Sequence, residues 1–109
     1  MENRDRQILT RILDEINIVS GLVSNIDYAA FMDDEKTKRA VCMTLINIGE
    51  LVKALSEPFK QAHADIPWRA ISGLRDIAAH HYQTLRMEDI WITVQDDIPI
   101  LKGQAGKLL

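Results

Sequence analysis

The sequence predicts an all-α protein, an up-and-down bundle of three long helices and one or two short ones. Apolar residues recur at spacings of three and four residues, the period of one face of an α-helix. No segment alternates apolar and polar residues for long enough to form a convincing β-strand. There are no internal repeats or interdomain linkers, so residues 1–109 are expected to form one helical domain.

The first predicted helix covers about Asp5 to Ile26. Its apolar stripe is wide enough to face more than one neighbouring helix. The stripe consists of Ile8, Ile12, Ile16, Val19, Val23 and Ile26, backed by Leu9, Leu13 and Leu22. Glycine lowers helix stability, so Gly21 within this stretch is expected to mark a close helix crossing. A short turn or helix over Tyr28 to Met32 follows.

The second long helix is expected to begin after Asp33 or Asp34, because an aspartate side chain can accept hydrogen bonds from the N–H groups of a first turn. It runs to about Ser56, and its apolar stripe is Val41, Leu45, Ile48, Val52 and Leu55. The cations of its first turns are interpreted as a solvated face: Lys36, Lys38 and Arg39. Pro58 is expected to end this helix, and a brief helical turn over Phe59 to His63 follows.

Proline is favoured in the first turn of a helix, so the next helix is expected to run from Pro67 to about Ala79. The chain then leaves this helix through His81 to Leu85. The last helix covers about Met87 to Leu101, with an apolar side of Ile90, Trp91, Val94, Ile98 and Leu101. Pro99 is expected to kink it or end it early, and Lys102 to Gly106 to form a frayed tail.

Composition and charge narrow the class of protein. The net charge of −3 argues against broad nucleic-acid binding but leaves room for a local basic cleft. A single cysteine, Cys42, excludes an internal disulfide and suits a reducing cytoplasm. No apolar run approaches the roughly 20 residues that span a bilayer, and the charged N-terminus lacks the apolar core of a signal peptide. We therefore expect a cytoplasmic protein without a membrane segment.

Most of the residues suited to chemistry lie between Ile66 and Trp91. Asp76 and His80 are four residues apart, so on one helix they can touch, and the carboxylate would raise the histidine pKa towards neutrality. Arg75 and His80 are five apart, roughly 140° around an ideal helix. They meet only if the arginine bends round, if the helix ends before His80, or if one cleft combines two copies of the segment.

A histidine beside an arginine can cleave a phosphodiester without metal. The histidine moves the proton of a ribose 2′-hydroxyl or of the leaving oxygen, and the arginine neutralises charge on the phosphate oxygens. The alternative is structural, with Asp76 and His80 in a helix-end hydrogen bond and Arg75 on the surface. The three histidines and Cys42 form no credible metal site, and His63 is interpreted as a surface residue.

Residues Arg75 to Tyr82 resemble the Arg-x4-His-x-Tyr motif of the HepT-like HEPN family, the toxins of bacterial and archaeal toxin–antitoxin pairs. Three further motifs occur in the order that the family shows. Ile46 to Glu50 resembles its Asn-x-Gly-Glu helix, Asp65 to Trp68 resembles its Ile-Pro-Trp segment, and Asp89 to Trp91 resembles its later Ile-Trp. The four motifs together cover the middle and later parts of the chain.

This resemblance implies a HEPN-like homodimer in which the motifs of both subunits face one cleft that cleaves RNA, without metal or cofactor. His80 would be the general acid/base, Arg75 would bind phosphate and stabilise the transition state, and Asp76 would orient the site. Tyr82 matches the tyrosine to which a partner nucleotidyltransferase, the MntA-like antitoxin, adds AMP from ATP to silence the toxin. AMP there would block RNA sterically and by charge.

Several alternatives stay open at this point. The rival function is a non-catalytic helical adaptor that binds a nucleotidyltransferase partner. Asn47 and Glu50 would either line the cleft or form hydrogen bonds at a helix interface, and His81 would either line the cleft or stand exposed beside the motif. Tyr82 could also be a packing residue. The two tryptophans are expected to be core anchors rather than platforms for base stacking: Trp68 and Trp91.

Overall fold

The computed structural model describes all 109 residues and contains helices and turns but no β-strand. The seven α-helices are α1 (Asn3–Val23), α2 (Tyr28–Asp33), α3 (Glu35–Ala54), α4 (Glu57–Ala62), α5 (Trp68–Ser72), α6 (Met87–Ile92) and α7 (Ile98–Gly106). Between α5 and α6 lie two 3₁₀-helices, Gly73–Ala79 and Tyr82–Thr84, and the π-helical turn Thr93–Asp97 joins α6 to α7. The predicted all-α class is confirmed.

The core is built on α1 and α3, which make the most extensive contacts of any two elements. Their predicted apolar stripes face each other, and the central side chains are completely buried: Leu9, Ile12, Ile16 and Val19 on α1, and Val41, Leu45, Ile48 and Val52 on α3. The segment of α5 and the first 3₁₀-helix packs against α3, and α7 packs against α1. Helix α3 therefore separates α1 from this segment, which carries Arg75 and is called the reactive segment below.

Two charged side chains are buried at the ends of this helix pair. Asp5 accepts hydrogen bonds from the Ser56 N–H (2.9 Å) and hydroxyl (2.7 Å), which ties the start of α1 to the turn before α4. Lys38 Nζ donates to the Met32 carbonyl at 2.8 Å and pairs with Glu35 at 2.8 Å. The expected solvated face is therefore wrong for Lys38, because a partner carbonyl and a carboxylate let its amine leave the solvent.

The predicted helix boundaries around Pro58 need correction. Helix α3 ends at Ala54, and Pro58 lies in the first turn of α4, where the missing N–H costs no hydrogen bond. The Ser56 side chain caps α4 by accepting from the Phe59 N–H at 3.3 Å. Gly21 does not mark a helix crossing, since a methyl group added there would have no neighbour within 4 Å.

The last helix continues past the expected frayed tail. Pro99 lies in the first turn of α7, directly after the π-helical turn. A proline ring would clash with the carbonyl four residues earlier in a regular α-helix, and the wider π turn accommodates it without ending the helix. Residues 102–106 are helical, because Leu101 and the completely buried Ala105 anchor them on the core. None of the helices is long and apolar enough to cross a membrane.

Candidate active site

The reactive segment is a tighter helix than its sequence suggests. The expected helix over residues 67–79 is α-helical only from Trp68 to Ser72 and continues as a 3₁₀-helix from Gly73 to Ala79. His80 ends it in an extended conformation, with φ −100° and ψ 148°. The i,i+4 geometry assumed for Asp76 and His80 therefore does not exist, because the helix has ended before the histidine.

Gly49 on α3 fixes how closely this segment approaches the core. A Cβ atom placed on Gly49 would lie 2.5 Å from the Arg75 backbone nitrogen and 3.0 Å from the Ser72 carbonyl oxygen. Only a residue without a side chain fits there unless the backbone moves. The glycine of the Asn-x-Gly-Glu motif thus sets the position of the backbone that carries Arg75.

Two carboxylates flank Arg75. Its guanidinium lies 4.0 Å from Glu50 and 3.9 Å from Asp76, and its side chain is 37% exposed. Ion pairs this long and this exposed are weak. The arginine is therefore held near the surface by two loose partners, and a phosphate could displace them through shorter, charge-assisted hydrogen bonds.

His80 is exposed and forms no side-chain hydrogen bond or ion pair with Asp76, so the contact predicted from helical spacing is absent. Both residues instead line an open pocket of about 400 Å³ together with Arg86, Asp89 and Thr84. Arg75 is not part of that lining. Within one chain, the arginine and the histidine of the motif therefore do not share a pocket.

The other residues singled out in the sequence take separate places. Asn47 donates to Glu15 of α1 at 3.4 Å, so it lies at a helix interface, whereas Glu50 lies beside Arg75. His81 is exposed, and only its backbone carbonyl is engaged, accepting from the Thr84 hydroxyl at 2.8 Å. Asn47 therefore takes the helix-interface alternative, whereas a role of Glu50 in lining the cleft stays a prediction.

Tyr82 joins the second 3₁₀-helix to the first turns of α3. Its hydroxyl donates to Glu35 Oε2 at 3.0 Å, and the Arg39 guanidinium lies over its ring at 4.1 Å. Burial and the hydrogen bond to Glu35 raise the pKa of Tyr82. Hydrogen bonds from Lys38 and Tyr82 lower the pKa of Glu35. The sequence did not single out Glu35, because 47 residues separate it from the tyrosine that it contacts.

The aromatic residues around the segment are structural. Trp68 is buried and donates its Nε1–H to the His63 carbonyl at 3.0 Å, and Trp91 packs on Phe31 with ring centroids 5.0 Å apart. His63, interpreted from the sequence as a surface residue, is half-buried with its ring 4.8 Å from that of Phe59. No three histidine, cysteine, aspartate or glutamate side chains converge on a point where a metal ion could bind.

Comparison with known proteins gives a consistent result. A family model described as "Ribonuclease HepT-like" matches residues 12–108. A "Probable ribonuclease HepT" of Thermococcus cleftensis is 35% identical over 108 residues, covering 99% of this chain and 98% of that protein. A "Putative RNase" of Caldanaerobacter subterraneus subsp. tengcongensis is 35% identical over 104 residues, covering 95% and 93%. No solved structure shows significant similarity to the chain.

Proposed function

This chain belongs to the HepT-like ribonuclease family, and we propose that it is the toxin of a type VII-like toxin–antitoxin pair, a metal-independent endoribonuclease of the cytoplasm. The observation that carries the proposal is that the half-buried Arg75 and the exposed His80 lie on one segment outside the buried core. Neither side chain forms a short ion pair within the chain, so both are available to contact RNA and contribute little to the stability of the fold.

The proposed reaction uses the ribose 2′-hydroxyl as the nucleophile. His80 accepts the proton of that hydroxyl as its oxygen attacks phosphorus, and the leaving 5′-oxygen takes up a proton as the phosphodiester bond breaks. Arg75 binds the phosphate oxygens, which gain negative charge in the transition state. Asp76 lies 3.9 Å from Arg75 and forms no hydrogen bond or ion pair with His80, so its orienting role acts on the arginine.

The cleft that cleaves RNA is proposed to lie between two copies of the chain. In one chain the pocket beside His80 lacks Arg75, and the two side chains are attached on either side of the point where the 3₁₀-helix ends. A symmetric dimer can place the arginine of one subunit near the histidine of the other. No residue of this 3₁₀-helix is fully buried and there is open space around Gly73, so the segment can form such a contact.

Silencing is proposed to act through Tyr82. An MntA-like nucleotidyltransferase antitoxin would join AMP to its hydroxyl, two residues from His80. The added phosphate and nucleoside would occupy the space that RNA needs and would repel its backbone. Support comes from the half-buried Tyr82, whose hydroxyl donates to a carboxylate that also pairs with two cations.

The decisive experiment measures RNA cleavage by the purified chain without its partner. His80→Ala and Arg75→Ala should each lower the cleavage rate by about 10²- to 10⁴-fold, because each removes a group that acts on the reacting atoms. His63→Ala is the matched control, since it removes a histidine outside the segment and should retain activity. Equal cleavage by wild type and both variants would refute the assigned site.

The same assay separates the enzyme from the adaptor. If the wild type cleaves no RNA but binds a nucleotidyltransferase, and His80→Ala binds it equally well, the chain is a non-catalytic adaptor. The net charge of −3 favours that reading to a small extent, because it repels RNA at long range.

A further inference from the structure

The contacts of Glu35 extend well beyond an ordinary surface ion pair. One oxygen of its carboxylate, Oε2, accepts from the Tyr82 hydroxyl at 3.0 Å and lies 3.5 Å from the Arg39 Nε atom. The other oxygen, Oε1, lies 2.8 Å from Lys38 Nζ. Lys38 is itself fixed by the Met32 carbonyl, so the carboxylate is held from one side by a buried cation. The geometry points one oxygen at the tyrosine.

These side chains surround an open pocket on the face of α3. Its lining consists of Glu35, Lys38, Arg39, Tyr82, Gln83, Leu85 and Met87, and its volume is about 480 Å³. Asp33 is the other charged group near Lys38. The pocket therefore combines a nucleophilic hydroxyl, a carboxylate and two cations, a set that suits the transfer of a phosphate-bearing group.

We propose, on the basis of the proposed function above, that Glu35 is a catalytic residue for the modification of its own chain and accepts the Tyr82 proton during AMP transfer. Arg39 and Lys38 then stabilise the phosphate that becomes attached beside them. The toxin would thus supply part of the active site that silences it, and the nucleotidyltransferase would supply the nucleoside triphosphate and its metal.

The Tyr82 oxygen attacks the α-phosphorus of ATP and forms a phosphodiester bond, while the bond from the α-phosphorus to the bridging oxygen breaks and pyrophosphate leaves. The phenolic proton passes along the existing hydrogen bond to Glu35 Oε2. A phenol needs this help because it is almost wholly protonated near neutral pH. Burial raises the pKa of Tyr82 further, so the base is needed more.

Modification also changes the contacts of the segment. The tyrosine oxygen can no longer donate once it is esterified, so the hydrogen bond to Glu35 is lost. The new phosphate would repel that carboxylate and attract the cations at positions 38 and 39. Lys38 and Arg39 would therefore bind the phosphate of the modified side chain at a defined position on α3.

The test measures AMP transfer from ATP to the full-length chain by the proposed partner nucleotidyltransferase, followed by mass spectrometry. Glu35→Gln keeps the size of the side chain and an oxygen that can accept the hydrogen bond, but it removes the base. We expect the transfer rate constant to fall by about 100-fold while KM for the chain changes little. Tyr82→Phe should gain no mass.

Glu57→Gln is the matched control. Glu57 also lies in a first helical turn and forms an i,i+3 ion pair, at 3.1 Å to Lys60, but it contacts no tyrosine. It should be modified at the wild-type rate, and thermal unfolding of both variants checks that they fold. Glu35→Gln should also gain rate with rising pH, about tenfold per pH unit as the phenolate forms, whereas the wild type should change little between neutral and mildly basic pH.

The outcomes separate the two proposals. Modification of wild type and Glu35→Gln at equal rates, with the same pH profile, would overturn the role of Glu35 and leave silencing through Tyr82 intact. An equal loss of rate in the Glu35→Gln and Glu57→Gln variants would also overturn it, because the cause would then be structural. If the wild type gains no AMP, silencing through Tyr82 and the role of Glu35 are both overturned. The proposal that the chain cleaves RNA would not be affected by that result.

Discussion

At the scale of single residues, Asp5 shows how a buried charge organises the ends of the bundle. Its carboxylate is almost completely buried and accepts two hydrogen bonds from Ser56, 51 residues away. Burial raises its pKa, but the two hydrogen bonds from Ser56 outweigh that effect and bring the pKa below its ordinary value. The ionised form therefore stabilises the fold.

This lowered pKa predicts how stability depends on pH. Asp5→Asn should lower the free energy of unfolding by about 1–3 kcal/mol at neutral pH, because one of the Ser56 donors loses its acceptor. For a depressed pKa the stabilisation is complete above the unfolded value of about 3.9 and disappears as the pH falls through the folded value.

Urea unfolding of both proteins between neutral and strongly acid pH measures the effect. The difference in unfolding free energy should shrink from about pH 4 downwards. Comparison with the variant isolates Asp5 from Asp34 and Glu35, whose pKa values are also lowered. A difference that stayed constant down to the lowest pH would contradict the assignment.

At the scale of elements, α3 serves as the support for both parts of the proposed site. Gly49 in its second half contacts the backbone of Arg75. In its first two turns, Glu35 and Arg39 contact Tyr82. The two parts lie on one rigid helix whose opposite face is buried against α1. The positions of the motif residues thus depend on residues of a different element.

A methyl group on Gly49 should therefore disturb Arg75. Gly49→Ala places Cβ 2.5 Å from the Arg75 nitrogen, so the backbone of the 3₁₀ segment must move. We expect a loss of about 1–3 kcal/mol in the free energy of unfolding, as for other overpacked sites. RNA cleavage per folded molecule should also fall, because the guanidinium moves with its backbone.

Gly21→Ala is the control for helix propensity. It makes the same chemical change inside α1, where nothing lies within 4 Å of the added methyl group. It should stabilise the protein by about 0.5–1 kcal/mol, since alanine favours the helix over glycine. If Gly49→Ala were also more stable than the wild type and fully active, the close approach to Arg75 would not matter.

At the scale of the whole molecule, the proposed site is incomplete in one chain. The surface pocket beside His80 lacks Arg75, whose nearest charged groups are Glu50 and Asp76. A dimer that pairs the arginine of one subunit with the histidine of the other would complete each site. This composite arrangement makes a prediction that a site within one chain does not make.

Mixing two inactive variants tests the composite cleft. Arg75→Ala and His80→Ala chains, unfolded together and refolded, should form mixed dimers in which one of two sites is intact. About a quarter of the wild-type cleavage rate should return, because about half of the dimers are mixed. Each variant refolded alone should stay inactive. No recovery, with mixed dimers demonstrated by distinguishable tags, would place each site within one subunit.

Local patterns were sufficient for much of this protein. The apolar spacing of α1 and α3 predicted most of the buried side chains of these helices, although Ile8 and Ile26 of the predicted stripe are only partly buried. The sequence motif singled out Arg75, His80 and Tyr82 as candidate site residues, and none of them is buried in the core. Both signals depend on neighbours within a few turns, whose relative directions are set by the helical repeat. The spacing argument also showed that one regular helix would keep the arginine and the histidine apart.

Only the tertiary structure decided how these residues are held. The contact between Tyr82 and Glu35 and the close approach of the Arg75 backbone to Gly49 join segments that are distant in the sequence. Lys38 is buried against the Met32 carbonyl across the turn between α2 and α3. The change from α- to 3₁₀-helix before His80 likewise removed a contact that helical spacing predicted. Such contacts depend on the distance and angle at which helices pack, which are properties of the assembled bundle and not of any one stretch of sequence.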